Sequence, residues 1–156
     1  MYEKRFMEKA IQLAVENAEN GIGGPFGAVV VKGGEIIAAC GNSVTSDNDP
    51  TAHAEVNAIR EACRKLGTFQ LEGCEVYASC EPCPMCLGAI YWARPAKVYF
   101  ASTKEDAAKA GFDDSFIYKE IVLPEAERAI PFLNEKVTGA GEEFRLWQKN
   151  ENKREY

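Results

Sequence analysis

A helical run between two strand-like runs constrains the fold of this chain more than any other feature. Residues Glu75–Ser79 and Lys97–Ala101 both have the apolar, β-branched and aromatic character of strands. Residues 82–92 lie between them, begin with Pro-Cys-Pro and continue with helix-forming residues. A strand, a helix and a second strand in this order are typical of a parallel crossover. The sequence therefore predicts a layered α/β fold.

The N-terminal half extends this α/β pattern with a helix and a hairpin. Apolar residues recur at helical spacing between residues 2 and 20, and Gly21 suits the end of that helix. These residues are Phe6, Ala10, Leu13, Ala14 and Val15. The runs Phe26–Val31 and Glu35–Ala39 flank Lys32-Gly33-Gly34, which indicates a β-hairpin.

A second helix is predicted over residues 49–66, before the crossover. Asp49-Pro50 has the form of a capping acid followed by a proline at the first helical position, and Gly67 suits the helix end. The polar stretch 41–50 that precedes this helix is predicted to be a loop.

The chain has 156 residues, a length that suits one domain. We expect a single domain over 1–156, with a core of about residues 1–120. Beyond residue 102 the signal weakens to short helical pieces around 104–109, 114–120 and 142–152. A C-terminal segment of about residues 121–156 follows this core.

The cysteine and histidine content directs attention to metal chemistry. There are six cysteines and a single histidine, His53. No run approaches the roughly 18 apolar residues of a membrane-spanning helix, and the N-terminus has no signal-peptide core. We therefore expect a soluble, cytoplasmic protein. In that compartment thiols stay reduced and serve as packing residues, metal ligands or reactive groups.

His53 and a pair of cysteines form the strongest constellation in the sequence. His53 lies in Thr-Ala-His-Ala-Glu, and thirty residues later Pro-Cys-Pro-Met-Cys supplies Cys83 and Cys86. One imidazole and two thiolates suit zinc, and helix N-termini lower the pKa of nearby thiols. Three protein ligands leave a fourth position for water, as in catalytic zinc sites. Glu55, two residues after His53, could exchange protons with that water.

Two further interpretations of these cysteines remain open from the residues alone. Cys80 precedes Cys83 by three positions, so His53, Cys80, Cys83 and Cys86 could form a closed structural zinc site. Such a site would leave Glu55 without a role. Alternatively, Cys80 and Cys83 could form a thioredoxin-like redox pair.

His-Ala-Glu followed by Pro-Cys-x-x-Cys resembles the motif of the zinc-dependent nucleobase and nucleoside deaminases. This resemblance implies a three-layer α/β/α cytidine deaminase-like fold with a central mixed sheet. It implies that His53, Cys83 and Cys86 hold one Zn²⁺ per subunit and that Glu55 is the general acid and base. It also implies a homodimer, in which C-terminal segments could be exchanged between subunits.

Within this superfamily the chain most resembles the bacterial guanine deaminases. Gly-Pro-Phe-Gly at 24–27, Asn42 and Gly-Phe-Asp-Asp at 111–114 carry this resemblance together with the zinc motif. Guanine bears its amine at C2 beside ring nitrogens, so hydrolysis to xanthine and ammonia requires two proton transfers. Asp114, rather than the neighbouring Asp113, is the candidate for a second acid or for a residue that binds the edge of the base.

Four further residues are candidate substrate contacts. Asn42 could form a bidentate hydrogen bond with the base edge, and Phe26 could stack on the ring or belong to the core. Trp92 could line the pocket or pack at an interface. Terminal residues are normally frayed. The resemblance to guanine deaminases nevertheless implies that the segment of about 121–156 covers the active site and that Tyr156, the last residue, closes the pocket.

Charge helps to separate the functions that are compatible with this motif. The formal net charge is −6, which disfavours a nucleic-acid partner and favours a small nucleobase. A tRNA adenosine deaminase would need basic residues for phosphates. A cytosine deaminase and a non-catalytic, zinc-stabilised interaction domain also remain compatible with the sequence.

Overall fold

The structure, a computed structural model, describes residues 2–156 and contains alternating helices and strands. The elements are α1 Lys4–Asn20, β1 Gly27–Lys32, β2 Glu35–Gly41, α2 Val44–Asp47, α3 Ala54–Leu66, β3 Cys74–Cys80, α4 Pro84–Ala93, β4 Lys97–Ser102, α5 Lys104–Lys109, α6 Ser115–Ile121, a 3-10 turn Glu125–Glu127 and α7 Glu142–Lys149.

The four strands form one mixed sheet in the order β2-β1-β3-β4. β1 is antiparallel to both β2 and β3, and the turn between β1 and β2 is the predicted hairpin. β3 and β4 are parallel and are joined by α4. The crossover that the sequence predicts is therefore confirmed.

Helices cover both faces of the sheet, and alternate side chains of β1 pack against them on opposite sides. Val29 and Val31 pack with Phe6, Met7 and Ala10 of α1. On the opposite face, Ala28 and Val30 pack with α3. The small α3 side chains on this face are Ala54, Ala58 and Ala62. These three layers confirm the predicted α/β/α architecture. Val15 is 47% exposed, so its assignment to the apolar stripe of α1 is wrong.

The predicted start of the second helix is also wrong. α3 begins at Ala54, with His53 as its N-cap residue in an extended conformation. Asp49 instead closes a turn, because its carboxylate accepts hydrogen bonds from the backbone N–H and the hydroxyl of Thr51. The end of the helix is confirmed, since Gly67 adopts the left-handed conformation with φ 65°.

The segment predicted as a polar loop contains the short helix α2. Val44, its first residue, donates its backbone N–H to the side-chain oxygen of Asn42. A hydrogen bond from the backbone N–H of Ser43 to the Ala52 carbonyl connects this segment to the residue before His53. α2 thus belongs to the support of the site described below.

The chain divides into two compact units, one ending at Asp114 and the other comprising Ser115–Tyr156. The first contains the whole sheet and α1–α5, and the second contains α6, the 3-10 turn and α7. Within residues 2–156, no helix combines the length and the apolar character required to span a bilayer.

Candidate active site

The N-termini of two helices bring the predicted metal ligands together. His53 is the N-cap residue of α3, and Cys83 is the N-cap residue of α4, with Pro84 at the first helical position. Cys86 lies in the first turn of α4 and is fully buried. The partial positive charge at both helix ends favours thiolates at this position.

The distances within this cluster fit a tetrahedral zinc ion. The Sγ atoms of Cys83 and Cys86 each lie 3.5 Å from Nδ1 of His53. All three ligand atoms lie within 4.8 Å of one another. Zinc bonds of about 2.3 Å to sulfur and 2.0–2.1 Å to nitrogen place tetrahedral ligands about 3.6 Å apart. The donor set and its spacing therefore suit Zn²⁺, with a fourth position left for another ligand.

Glu55 lies in the first turn of α3 and contacts this cluster. Its side chain is only 8% exposed and is hydrogen-bonded to the Cys86 thiol. Burial raises the pKa of the Glu55 carboxyl, because water no longer solvates its charged form. A carboxyl with a raised pKa exchanges protons more readily near neutral pH than an exposed one.

The two thiols share one proton when no metal holds them. A hydrogen bond from Cys86, followed by one from His53, lowers the pKa of Cys83 to about 4. The same hydrogen bond, together with burial, raises the pKa of Cys86. The hydrogen bond with Cys83 raises the pKa of His53. Cys83 therefore carries the thiolate of this pair.

Cys80 lies apart from the ligand cluster in the described part of the chain. Its buried thiol donates a hydrogen bond to the Thr103 carbonyl oxygen at 3.4 Å. The metal-ligating group that the structure brings together contains His53, Cys83 and Cys86 without Cys80. The closed four-ligand site is thus not formed. Cys80 contacts the Thr103 carbonyl and Cys83 contacts Nδ1 of His53, so the two thiols have different partners.

Asn42 is buried directly after β2, and its side chain has a fixed orientation. Its Oδ1 accepts hydrogen bonds from the backbone N–H groups of Gly24 and Val44, at 3.0 and 3.2 Å. Two donors occupy both lone pairs of that oxygen, so only the Nδ2 group can serve a ligand. Nδ2 is thus the part of the expected bidentate contact that stays open to a ligand, and the contact itself remains a prediction.

Phe26 lies beside Asn42, and Asp114 interacts electrostatically with Cys83. The backbone carbonyl of Phe26 accepts a hydrogen bond from Asn42, and its ring packs edge-on against Phe112 at 5.0 Å. Asp114 is half-buried, and burial followed by the negative charge of Cys83 raises its pKa. The charge of Asp114 is therefore coupled to that of Cys83.

Trp92 and Tyr156 are both largely exposed. Trp92 lies nine residues after Cys83, which corresponds to about 13 Å along the helix, and is 63% exposed. Tyr156 belongs to the Ser115–Tyr156 unit and is 69% exposed.

Sequence reasoning missed Asn17 and Asn57, which support the Asn42 segment. Asn17 lies three positions after Ala14 in the buried stripe of α1 and is only 6% exposed. An amide at an apolar position of a helix stripe is the signal that could have revealed it, because buried polar groups require partners.

An α/β/α sandwich with a His-Cys-Cys donor set and a buried carboxyl defines a class of metal-dependent hydrolytic enzymes. Residues 1–102 match the family model of the cytidine and deoxycytidylate deaminase zinc-binding region. The chain belongs to this family, and it is a zinc-dependent hydrolytic deaminase.

Comparisons with individual proteins extend the family match over the whole chain. The chain is 58% identical over 156 residues to guanine deaminase of Bacillus subtilis, covering 100% of both chains. The X-ray structure of guanine deaminase from that organism superimposes with a TM-score of 0.97, covering 100% of this chain and 99% of the other. The cytidine deaminase-like fold is thereby confirmed.

Two further relatives are more distant. The tRNA-specific adenosine deaminase of Bacillus subtilis is 37% identical over 137 residues, covering 88% of this chain and 84% of the relative. A guanine deaminase structure from Nitrosomonas europaea has 34% identity and a TM-score of 0.68, covering 72% and 65% of the two chains.

Proposed function

We propose that this protein is a guanine deaminase, which hydrolyses guanine to xanthine and ammonia. The observation that carries the proposal is the 58% identity to guanine deaminase over all 156 residues of both chains. Identity to the tRNA-specific adenosine deaminase of Bacillus subtilis is lower, 37% over 137 residues. The net charge of −6 agrees with an uncharged free base as substrate.

His53, Cys83 and Cys86 are proposed to hold one zinc ion per chain. Zinc bound there supplies Lewis acidity that lets a water act as a nucleophile near neutral pH. Glu55 is proposed as the proton carrier, because it is buried against Cys86 and its pKa is raised.

The proposed reaction needs two proton transfers, and one carboxylate can perform both. Glu55 accepts a proton from water as the oxygen bonds to C2, and passes that proton to the adjacent unprotonated ring nitrogen, N3. It then moves the proton of the new hydroxyl to the amine. The C2–N bond breaks, ammonia leaves and the C2 carbonyl of xanthine forms. Asp114 is proposed to share the second transfer or to hold the base.

The base is proposed to lie against Phe26 and to accept a hydrogen bond from Asn42. Among the residues from 2 to 156, Nδ2 of Asn42 has no hydrogen-bond partner, so it is available to a ligand. A carbonyl oxygen or an unprotonated ring nitrogen of a purine would satisfy it.

A homodimer with exchanged C-terminal segments is proposed as the working assembly. Large apolar side chains within Ser115–Tyr156 are exposed in the single chain, which favours burial in an assembly. Examples are Val122, Ile130, Leu133, Val137 and Phe144. Trp92 is proposed as an interface or pocket residue, and Tyr156 as the residue that closes the pocket.

The cytoplasm is proposed as the compartment, because all six cysteines are free and the zinc site needs reduced thiols.

Ammonia release from a panel of amines tests the proposed reaction. The zinc-loaded protein is incubated separately with guanine, adenine, cytosine, cytidine and tRNA containing the target adenosine. We expect release from guanine alone. Release from the tRNA with none from guanine would reject the proposal in favour of an adenosine deaminase.

Light scattering tests the proposed assembly. We expect twice the mass of one chain for the purified protein. Tyr91 is 75% exposed and lies on the same face of α4 as Leu87, so a second chain would bury this apolar face. Tyr91→Ala should therefore increase the dissociation of the dimer. Lys97→Ala, at the exposed start of β4, is the control. A monomer at all concentrations would exclude exchanged segments.

A further inference from the structure

We propose that Asn17 is a positioning residue, which holds Asn42 in the orientation that binds the purine. This inference rests on the proposed function and adds a residue of α1 to the substrate site. Asn17 itself has no contact with the metal cluster among its described hydrogen bonds.

Asn17 connects α1 to the two loops that meet at Asn42. Its Nδ2 group donates to the carbonyl oxygen of Asn42 at 2.6 Å and to that of Gly24 at 3.1 Å. These two bonds use both protons of the Asn17 amide. One acceptor is the backbone carbonyl of Asn42 itself, and the other lies in the Gly24 loop. Because the side chain is 6% exposed, water cannot replace these bonds without rearrangement.

Asn42 and Gly24 depend on each other as well as on Asn17. The Gly24 backbone N–H donates to Oδ1 of Asn42, whereas the Gly24 carbonyl accepts from Asn17. Asn17 therefore fixes both the backbone of Asn42 and the group that orients its side chain. A rotated Asn42 amide would turn its Nδ2 toward these two N–H donors and lose both bonds.

The backbone packs closely around this contact. A Cβ at Gly41 would lie 2.7 Å from Oδ1 of Asn17. A Cβ at Gly23 would overlap the carbonyl oxygen of Asn42. Glycines at both positions permit the close approach of backbone to amide on which the contact depends.

Asn57 fixes the same segment from the other face of the sheet. Its Nδ2 contacts the hydroxyl of Ser43 at 2.9 Å and the carbonyl oxygens of Gly41 and Ala52 at 3.2 and 3.3 Å. Ala52 directly precedes His53. The hydrogen bonds of Asn57 therefore connect the Gly41–Ser43 segment to the metal ligand His53. Asn17 and Asn57 thus hold Asn42 between α1 and α3.

Asn17→Ala, measured alone and together with Asn42→Ala, tests the inference. The measurements are kcat and KM for guanine, the equilibrium Kd for xanthine, zinc content and the melting temperature. We expect Asn17→Ala to raise KM and Kd about 5- to 10-fold, with kcat within about twofold and zinc unchanged. Asn20→Ala is the matched control. Among residues 2–156, the exposed amide of Asn20 bonds only to the Glu16 carbonyl on the same helix.

The double variant distinguishes positioning from a purely structural role. If Asn17 acts through Asn42, Asn17→Ala should change Kd by less than about twofold in the Asn42→Ala background. Equal fold-changes in both backgrounds would overturn the inference. Asn17→Ser, which keeps one donor, should recover part of the lost affinity. If neither Asn17 variant keeps zinc and a cooperative melting transition, Asn17 is a residue of the fold and the inference is also overturned.

The wild-type protein separates this inference from the proposed reaction. If it binds xanthine without deaminating guanine, the proposed function fails and the Kd series still decides the role of Asn17. If it neither binds xanthine nor deaminates guanine, both proposals fail.

Discussion

Glu55 has the property that a proton carrier needs and that a structural residue does not. Its carboxyl is buried against Cys86, and burial raises its pKa. Glu55→Gln keeps the size of the side chain and one hydrogen-bonding oxygen, but it cannot exchange protons. We expect turnover to fall about 10²- to 10⁴-fold with zinc retained, measured by ammonia release and metal analysis.

Glu61→Gln provides the control for this substitution, because Glu61 lies on the same helix and pairs with Lys65. It should leave turnover unchanged. Full activity in zinc-loaded Glu55→Gln would instead favour a zinc-stabilised interaction domain, in which only the metal ligands matter.

Removal of zinc should expose a large difference in reactivity between two cysteines. The hydrogen bond from Cys86 lowers the pKa of Cys83 to about 4, so Cys83 is a thiolate at pH 7 in the metal-free protein. Burial raises the pKa of Cys40 to about 11, so its thiol stays protonated. We expect iodoacetamide to modify Cys83 first after chelation, as measured by mass spectrometry of peptides.

Zinc loading is the control in this alkylation experiment, because a metal-bound thiolate is protected. Cys83 should then react slowly at the same pH. Faster modification of Cys40 than of Cys83 in the metal-free protein would contradict the assigned thiolate.

At the level of elements, the N-terminus of α4 was predictable because its signals are local. Pro84 follows Cys83 directly, and the spacing to Cys86 places both thiols at one helix end. The start of α3 was not predictable from Asp49-Pro50. An acid that caps a helix and an acid that closes a turn use the same side-chain oxygen, and the turn forms here.

The role of Asn42 depends on contacts that no sequence pattern records. Its oxygen is occupied by backbone groups of Gly24 and Val44, which lie 18 and 2 residues away. The hydrogen bond from Val44 is local, but the one from Gly24 depends on the tertiary structure. The sequence indicated an amide near the proposed site, whereas the number of donors left for a ligand follows only once both bonds are known.

The close packing of α1 on β1 gives a test at the scale of the elements. A Cβ at Gly27 would overlap the Ala10 carbonyl oxygen and lie 2.8 Å from the Leu13 side chain. Since neither a helix carbonyl nor the strand can move freely, Gly27→Ala should destabilise the fold by about 1–3 kcal/mol. Urea unfolding measures this change, with Lys32→Ala at the exposed end of β1 as the control.

Equal stability of Gly27→Ala and the wild-type protein would show that α1 can shift away from the sheet. Asn17 lies on the same helix, so such a shift would also be expected to alter its bond to Asn42.

At the scale of the whole molecule, net charge helps to distinguish deamination of free guanine from deamination of adenosine in tRNA. The chain carries a formal net charge of −6, and guanine is uncharged near neutral pH. An enzyme that binds tRNA through contacts to 6–10 phosphates loses roughly 10³- to 10⁵-fold in its affinity for tRNA between 50 and 200 mM salt. We expect kcat/KM for guanine to change less than about twofold over this range, at constant zinc content. A steep fall with salt would mean that charged groups bind the substrate, and would support a polynucleotide in place of the free base.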